Sequence, residues 1–211
     1  MGKNKLKKIA ETKEMANILE FPRELKGKWN THFKNDNPIV LELACGKGHY
    51  TLAMGRMFPN KNFIGIDIKG TRLWTGGKTA YEEGLSNVCF TRMVIEQIDE
   101  FFAPGEVDEI WITFPDPQPK NERRRLTHPL FLEKYKTALK PNGWVHLKTD
   151  NTMLFEFTIG VLAGMNVKPE KVTRNLYLSD LYQDPILQIK TYYESLWNEQ
   201  GSNIKYTKFR L

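Results

Sequence analysis

No apolar run in this 211-residue chain approaches the roughly 20 residues that cross a bilayer. The basic N-terminus, Met1-Gly2-Lys3-Asn4-Lys5-Leu6-Lys7-Lys8, is followed by no long apolar stretch, so a secretory signal is not expected. It also lacks the serine or threonine of a myristoylation site. Two cysteines, Cys45 and Cys89, are too few for a disulfide framework or a cysteine-based zinc site. The four histidines, His32, His49, His128 and His146, are scattered without ligand pairing, so no metal is expected. There is no internal repeat and no low-complexity tract. These absences leave a cytoplasmic location as the expectation, with no membrane partner.

What is present suits one globular domain with a full core. Lysine and arginine total 31 against 25 acids, a net charge of +6. That balance permits a nucleic-acid partner without requiring one. The clustering is more informative. Lysines crowd the first eight positions, Arg123 to Arg125 form a run, and Lys168, Lys171 and Arg174 make another group. Residues 1–37 read as a basic extension, helical to about residue 20 on the apolar positions Leu6, Ile9, Met15, Ile18 and Leu19. Residues 38–211 read as the folded domain.

Seven strands are expected: Ile39–Ala44, Phe63–Asp67, Val88–Met93, Val107–Phe114, Trp144–Thr149, one within Val167–Leu178, and Ile204–Leu211. Helical stretches alternate with them: His49–Met57, one through Tyr81–Glu83, Ile95–Phe102, one capped by Thr127 and running to Lys140, one through Gly164, and Gln188–Glu199. The alternation predicts an α/β fold, a doubly wound and mostly parallel sheet. The short link between the last two strands predicts an antiparallel edge strand.

The first strand carries one intrusion, Glu42, and a buried carboxylate is costly without partners. It leads into Cys45-Gly46-Lys47-Gly48. A dinucleotide fingerprint would place a third glycine at position 51, where the chain has Thr51. Asp67 ends the second strand, where a carboxylate can accept both hydroxyls of a ribose. Glycine loop and acid together point to a nucleoside-containing cofactor. The spacing Glu42 to Gly46 to Gly48 resembles the first motif of class I S-adenosylmethionine-dependent methyltransferases, which implies a Rossmann-like sheet and S-adenosyl-L-methionine. Gly46 and Gly48 would allow close backbone approach, with Glu42 near the cationic amino-acid end. Adenine in such folds sits after the third strand. The position there is Val94, which has no acceptor side chain. Backbone at Val94 and Ile95 can read the adenine edge, or Glu96 can reach it.

The fourth strand stops at Phe114-Pro115-Asp116-Pro117-Gln118-Pro119-Lys120. Three prolines at alternate positions can neither continue a sheet nor begin an ordinary helix, so this is a stiff loop holding Asp116 and Lys120. In open α/β sheets ligands bind at that end of the strands. The stretch resembles the signature of the tRNA (guanine-N7)-methyltransferase family. The likeness continues in Arg124-Arg125-Leu126-Thr127, in His146 to Asn151, and in Thr191-Tyr192-Tyr193-Glu194. Gln118 stands where the family has tryptophan, and the basic insert after Lys120 is about two residues short. The resemblance implies methylation of guanine N7 in the variable region of tRNA. On matching positions it implies Glu42, Asp67 and Asp116 as cofactor-site residues, with Asp116 also catalytic. Lys120, Asp150, Thr191 and Glu194 are implied as substrate-site residues.

Guanine N7 carries a lone pair and no proton, so transfer to it needs positioning and charge stabilisation rather than a general base. A small-molecule methyltransferase and a non-catalytic RNA-binding protein on the same fold are the alternatives. Whether the chain is a monomer or a homodimer is left open.

Overall fold

A computed structural model of the chain describes residues 11, 15–191, 194 and 201–211. Its centre is an eight-stranded sheet: β1 (Ile18–Glu20), β2 (Ile39–Leu43), β3 (Asn62–Asp67), β4 (Val88–Arg92), β5 (Val107–Thr113), β6 (Leu139–Thr149), β7 (Lys171–Thr173) and β8 (Lys205–Arg210). The spatial order is β1-β4-β3-β2-β5-β6-β8-β7. All pairings from β1 to β6 are parallel, and β8 runs antiparallel to both β6 and β7. Helices α1 (Trp29–Phe33), α2 (His49–Met57), α3 (Gly70–Glu82), α4 (Ile98–Phe101), α5 (Pro129–Ala138) and α6 (Thr152–Gly164) cover the sheet. All five residues of β2 are buried, as expected of a strand covered on both faces.

The chain leaves β2 outward through β3 and β4, then returns to place β5 on the other side of β2. The crevice between the carboxyl ends of β2 and β5 is therefore the switch point where such sheets bind ligands. The register aligns Leu43 with Ile112, so Ala44 and Phe114 leave the sheet side by side.

The sheet departs from expectation in three places. It has eight strands because Ile18–Glu20, read as the end of a helix, is extended and pairs with β4 through Ile18–Phe90 and Glu20–Arg92. The remainder of the expected helix lies almost wholly outside the described residues. Residues 23–33 also belong to the fold: Trp29 is fully buried, stacks on Phe102 at 5.2 Å and donates to the Phe101 carbonyl. The last two strands form the expected antiparallel pair at one edge, β7 outermost and β8 reversed against β6. Finally, α5 is capped by His128, whose Nδ1 accepts from the Leu130 amide, and not by Thr127, whose hydroxyl meets Thr158. Helix α5 ends at Ala138, and Leu139 already pairs with Val107 ahead of an irregular Pro141-Asn142-Gly143.

Gly76-Gly77 inside α3 has a packing cause. A Cβ at Gly76 would meet the Phe90 ring at 2.6 Å, and one at Gly77 would meet Ile18 at 2.3 Å. The two glycines let α3 lie close against β4 and β1. Of the expected Gln188–Glu199 helix, Gln188 to Lys190 are non-helical, Glu194 is helical, and residues 192–193 and 195–199 lie outside the described residues.

Candidate active site

Glu42 faces sideways from β2 and is 2% exposed. Its carboxylate accepts from the Thr51 amide at 2.8 Å, from the Thr51 hydroxyl, and from the Thr113 hydroxyl at 2.6 Å. Burial pushes its pKa up to about 7, against the pull of those three donors, and nearby Asp67 raises it further. Glu42 thus ties the first turn of α2 to the end of β5 while lining the floor of the crevice.

Three residues in the following loop take positive φ: Ala44 (57°), Gly46 (59°) and Gly48 (73°). The two glycines differ in purpose. Nothing lies within 4 Å of a Cβ added at Gly46, so its open side faces the crevice. A Cβ at Gly48 would sit 2.2 Å from the Phe90 ring. Gly48, expected to approach a cofactor, instead starts α2 and packs on β4. Asp67 closes the loop from the other side, with Oδ2 accepting from the Gly46 amide at 3.0 Å and Oδ1 from the Lys69 amide at 2.8 Å. Two amides from opposite directions aim this carboxylate along the crevice.

The crevice has two hollows that share Ala44. The wider, about 390 Å³, runs from Asp67 and Ile68 past Met93 to Glu96, and is closed by Pro115, Asp116 and Gln118 with Arg124 and Leu126. The narrower, about 90 Å³, lies over Glu42 and Gly46, with Lys47, Arg72, Phe114 and Thr191 on its walls. The expected adenine position, Val94, and the alternative, Glu96, both line the wider hollow.

The Pro-Asp-Pro loop hangs over that hollow. Phe114 and Gln118, which bracket it, both have φ of 48°, a region unfavourable for residues with a side chain. The loop is held against this strain. The Phe114 amide donates to the Lys148 carbonyl at 2.8 Å, the Gln118 amide to Asp116 Oδ1 at 2.9 Å, and Arg125 Nε to the Pro117 carbonyl at 3.3 Å. Asp116 is exposed at the lip. Arg125 is 3% exposed, pairs with Glu122 at 3.0 Å and lies 4.4 Å over the Phe157 ring. One member of the basic Arg123–Arg125 run is therefore a buried strut, while Arg123 and Arg124 remain exposed.

Residues 36–207 match a family model described as a putative methyltransferase. The tRNA (guanine-N(7)-)-methyltransferase of Bacteroides thetaiotaomicron is 50% identical over 100% of this chain and 87% of its own length. That of Christiangramia forsetii is 47% identical over 100% of this chain and 99% of its own. The chain belongs to the tRNA (guanine-N7)-methyltransferase family. Its fold is shared with the 16S rRNA methyltransferase KamB (TM-score 0.67, 11% identity, 88% of this chain and 93% of that one). It is shared also with an S-adenosylmethionine-dependent methyltransferase from Aquifex aeolicus (TM-score 0.58, 14% identity, 95% and 97%).

The substrate positions implied by the family signature do not share one surface. Lys120 is exposed beyond the loop, Asp150 is half-buried after β6, and Thr191 lines the narrow hollow. Glu194 is different. It is fully buried, with its carboxylate 2.8 Å from Lys148 Nζ and accepting from the Tyr177 hydroxyl at 2.8 Å. It also exchanges bonds with Thr191: the Glu194 amide donates to the Thr191 hydroxyl at 3.1 Å and the Thr191 amide to Glu194 at 3.4 Å. That reciprocal pattern is a capping box, and Thr-x-x-Glu was its visible signal. Lys148, unremarked within its motif, is fully buried too. It donates to the Leu187 and Ile189 carbonyls at 3.0 and 2.9 Å, with its ammonium 5.8 Å from the Phe114 ring. The pair staples the segment 187–194 to the root of the Pro-Asp-Pro loop.

Proposed function

We propose that the chain transfers the methyl group of S-adenosyl-L-methionine to N7 of a guanine in the variable region of tRNA. The observation that carries the proposal is the position of Asp116, exposed at the lip of a crevice whose floor bears Glu42 and Asp67. Family membership supplies the substrate class.

The residues fit the cofactor. Gly46 is open toward the crevice, Asp67 is aimed by two amides to accept ribose hydroxyls, and Met93 to Glu96 give an apolar wall for a base. Glu42 lies beneath the narrow hollow, where a cationic amino-acid end would be welcome. When bound, S-adenosyl-L-methionine supplies a methyl group on a positively charged sulfur. Asp116 opposes the positive charge that develops on the guanine as N7 is alkylated, and abstracts no proton. Its carboxylate keeps free acceptor capacity for guanine donors, since among the described residues only the Gln118 amide is bonded to it. The twin kinks at Phe114 and Gln118 fix its direction. Thr191 borders the same hollow, and Lys120 and Asp150 stand further out as contacts to the RNA.

The test is incubation with labelled methyl donor and unmodified tRNA, followed by nucleoside analysis. Label is expected in 7-methylguanosine, and label in no nucleoside would sink the proposal. Asp116→Ala is expected to abolish turnover with the unfolding midpoint close to that of the unaltered chain. Near-normal turnover in that variant would remove Asp116 from the mechanism.

A further inference from the structure

A groove of about 600 Å³ opens beside the narrow hollow, between α2, α3 and the segment 189–191. It is larger than either hollow of the crevice and joins the narrower one through Lys47, His49 and Thr191, which border both. Its walls carry Lys47, Arg56 and Lys190, the hydroxyls of Thr75 and Thr79, and, among the described residues, no carboxylate. Arg56 is already matched, holding Glu83 through two bonds of 2.7 Å. His49 is kept toward its neutral form, by burial first and then by Lys47. Among the described wall residues, the cations not held by a carboxylate are Lys47 at the inner end and Lys190 at the rim, both exposed, with the Lys190 ammonium 5.2 Å over the Tyr177 ring. The amino-terminal end of α2 lies at the same inner end and adds a field of the same sign.

We infer that this groove holds the phosphodiester backbone of the RNA next to the guanine in the crevice, with Lys47 and Lys190 meeting successive phosphates. The inference rests on the proposed reaction. A groove continuous with the transfer site, whose described walls are cations and hydroxyls without acids, suits a polyanion whose one base is inserted next door. It is separate from Arg124, which lines the wider hollow together with the Pro-Asp-Pro loop. RNA gripped on both sides of the loop would present one nucleotide to Asp116, as an extruded base requires.

The test compares Lys190→Ala and Lys190→Glu/Thr79→Glu with the unaltered chain, and with Lys34→Glu as a control for charge reversal away from the groove. Lys34 is exposed at the opposite end of the sheet, just before β2. The readouts are KM for tRNA, its dependence on salt, and binding of S-adenosyl-L-methionine. For Lys190→Ala the slope of log KM against log salt is expected to fall by about 1, the loss of one phosphate contact. The double variant is expected to raise KM at least tenfold. Cofactor affinity, and turnover at saturating tRNA, should stay as in the unaltered chain for both variants, and Lys34→Glu should change neither KM nor slope. An unchanged KM and slope in both groove variants overturns the inference. So does competition for the groove by polyglutamate with none by unmodified RNA. Failure of the proposed reaction itself would show differently, as no 7-methylguanosine from the unaltered chain.

Discussion

The buried pair between Lys148 and Glu194 sets the sharpest test. Both side chains are wholly buried and 2.8 Å apart. Burial already pushes the Lys148 ammonium below its ordinary value, with Glu194 pulling it back up. In Glu194→Leu the lysine keeps only two carbonyl partners. Removing one member of a buried pair costs roughly 3–5 kcal/mol. An independent ceiling comes from titration. The lysine can lose its proton instead, which costs about 1.4 kcal/mol for every pH unit below its ordinary 10.5, or about 5 kcal/mol at pH 7. A domain with 5–15 kcal/mol of total stability would feel either figure, as a fall in Tm of roughly 10 °C. A neutral lysine in the fold against a charged one in the unfolded chain means that the unfolded state binds the extra proton. Stability of the variant should then rise with pH, by about 2.7 kcal/mol from pH 7 to pH 9, where the unaltered chain shows no such gain from this site.

Urea unfolding at the two pH values measures this directly. Lys148→Met/Glu194→Leu should recover most of the loss, because an apolar pair of similar volume is tolerated where half an ion pair is not. It should also recover much of the methyl transfer, because the staple holding segment 187–194 would be rebuilt. An unfolding midpoint for Glu194→Leu within about 0.5 kcal/mol of the unaltered chain refutes the buried-pair account. A stable double variant that binds cofactor normally yet transfers nothing would return Glu194 to the substrate surface.

Other outcomes follow from the loops. Gly48→Ala should cost about 2–5 kcal/mol, from the left-handed φ and the Phe90 collision together. Gly46→Ala should cost only about 1–2 kcal/mol but weaken cofactor binding markedly; urea unfolding and calorimetric titration separate the two. Glu42 holds its proton to about pH 7 in the fold against an ordinary 4.5, so the folded state binds the extra proton in that window. Stability should fall by about 3 kcal/mol as pH rises from 4.5 to 7, and Glu42→Gln should flatten that fall in unfolding curves taken across the range. Arg125→Lys should lower kcat several-fold with KM for tRNA nearly unchanged, since the fork to Pro117 is lost inside the protein. Arg124→Ala should do the reverse, and steady-state kinetics with tRNA distinguishes them.

What was legible in the chain was what is local. Asp67 stands at the end of a recognisable strand, Glu42 interrupts an apolar run four residues before Gly46, and the prolines announce a stiff loop by themselves. The fold class followed from alternating elements because the central parallel strands β2, β3 and β5 each carried an apolar run. What stayed hidden depends on partners distant in sequence. Ile18–Glu20 is only three residues long and is extended because β4 offers it an edge. Arg125 looks like its two neighbours, and only Phe157, Met153 and the Pro117 carbonyl, arriving from elsewhere, bury it. Lys148 and Glu194 lie 46 positions apart, so neither announces that its charge belongs to the other. The capping box at Thr191 was readable in principle from its spacing, but a carboxylate inside a functional motif invites a functional reading first.

The three carboxylates of the crevice argue for the kind of chemistry the site performs. A general base needs a carboxylate that is both near the substrate and held for proton uptake, usually by a second group behind it. Glu42 has the raised pKa such a role wants, but it sits on the floor of the narrow hollow with its carboxylate engaged by Thr51 and Thr113, and does not line the wider hollow where Asp116 stands. Asp67 reaches the crevice, yet two backbone amides and the Arg72 guanidinium at 3.9 Å hold it as an acceptor. Asp116 lines the wider hollow, exposed and with one amide partner, and no second side chain stands behind it among the described residues. The group with the raised pKa lies away from the wider hollow, and the two carboxylates that line it are arranged as fixed negative charges. That division suits a nucleophile that has no proton to lose and becomes cationic as it reacts, which is the chemistry of guanine N7.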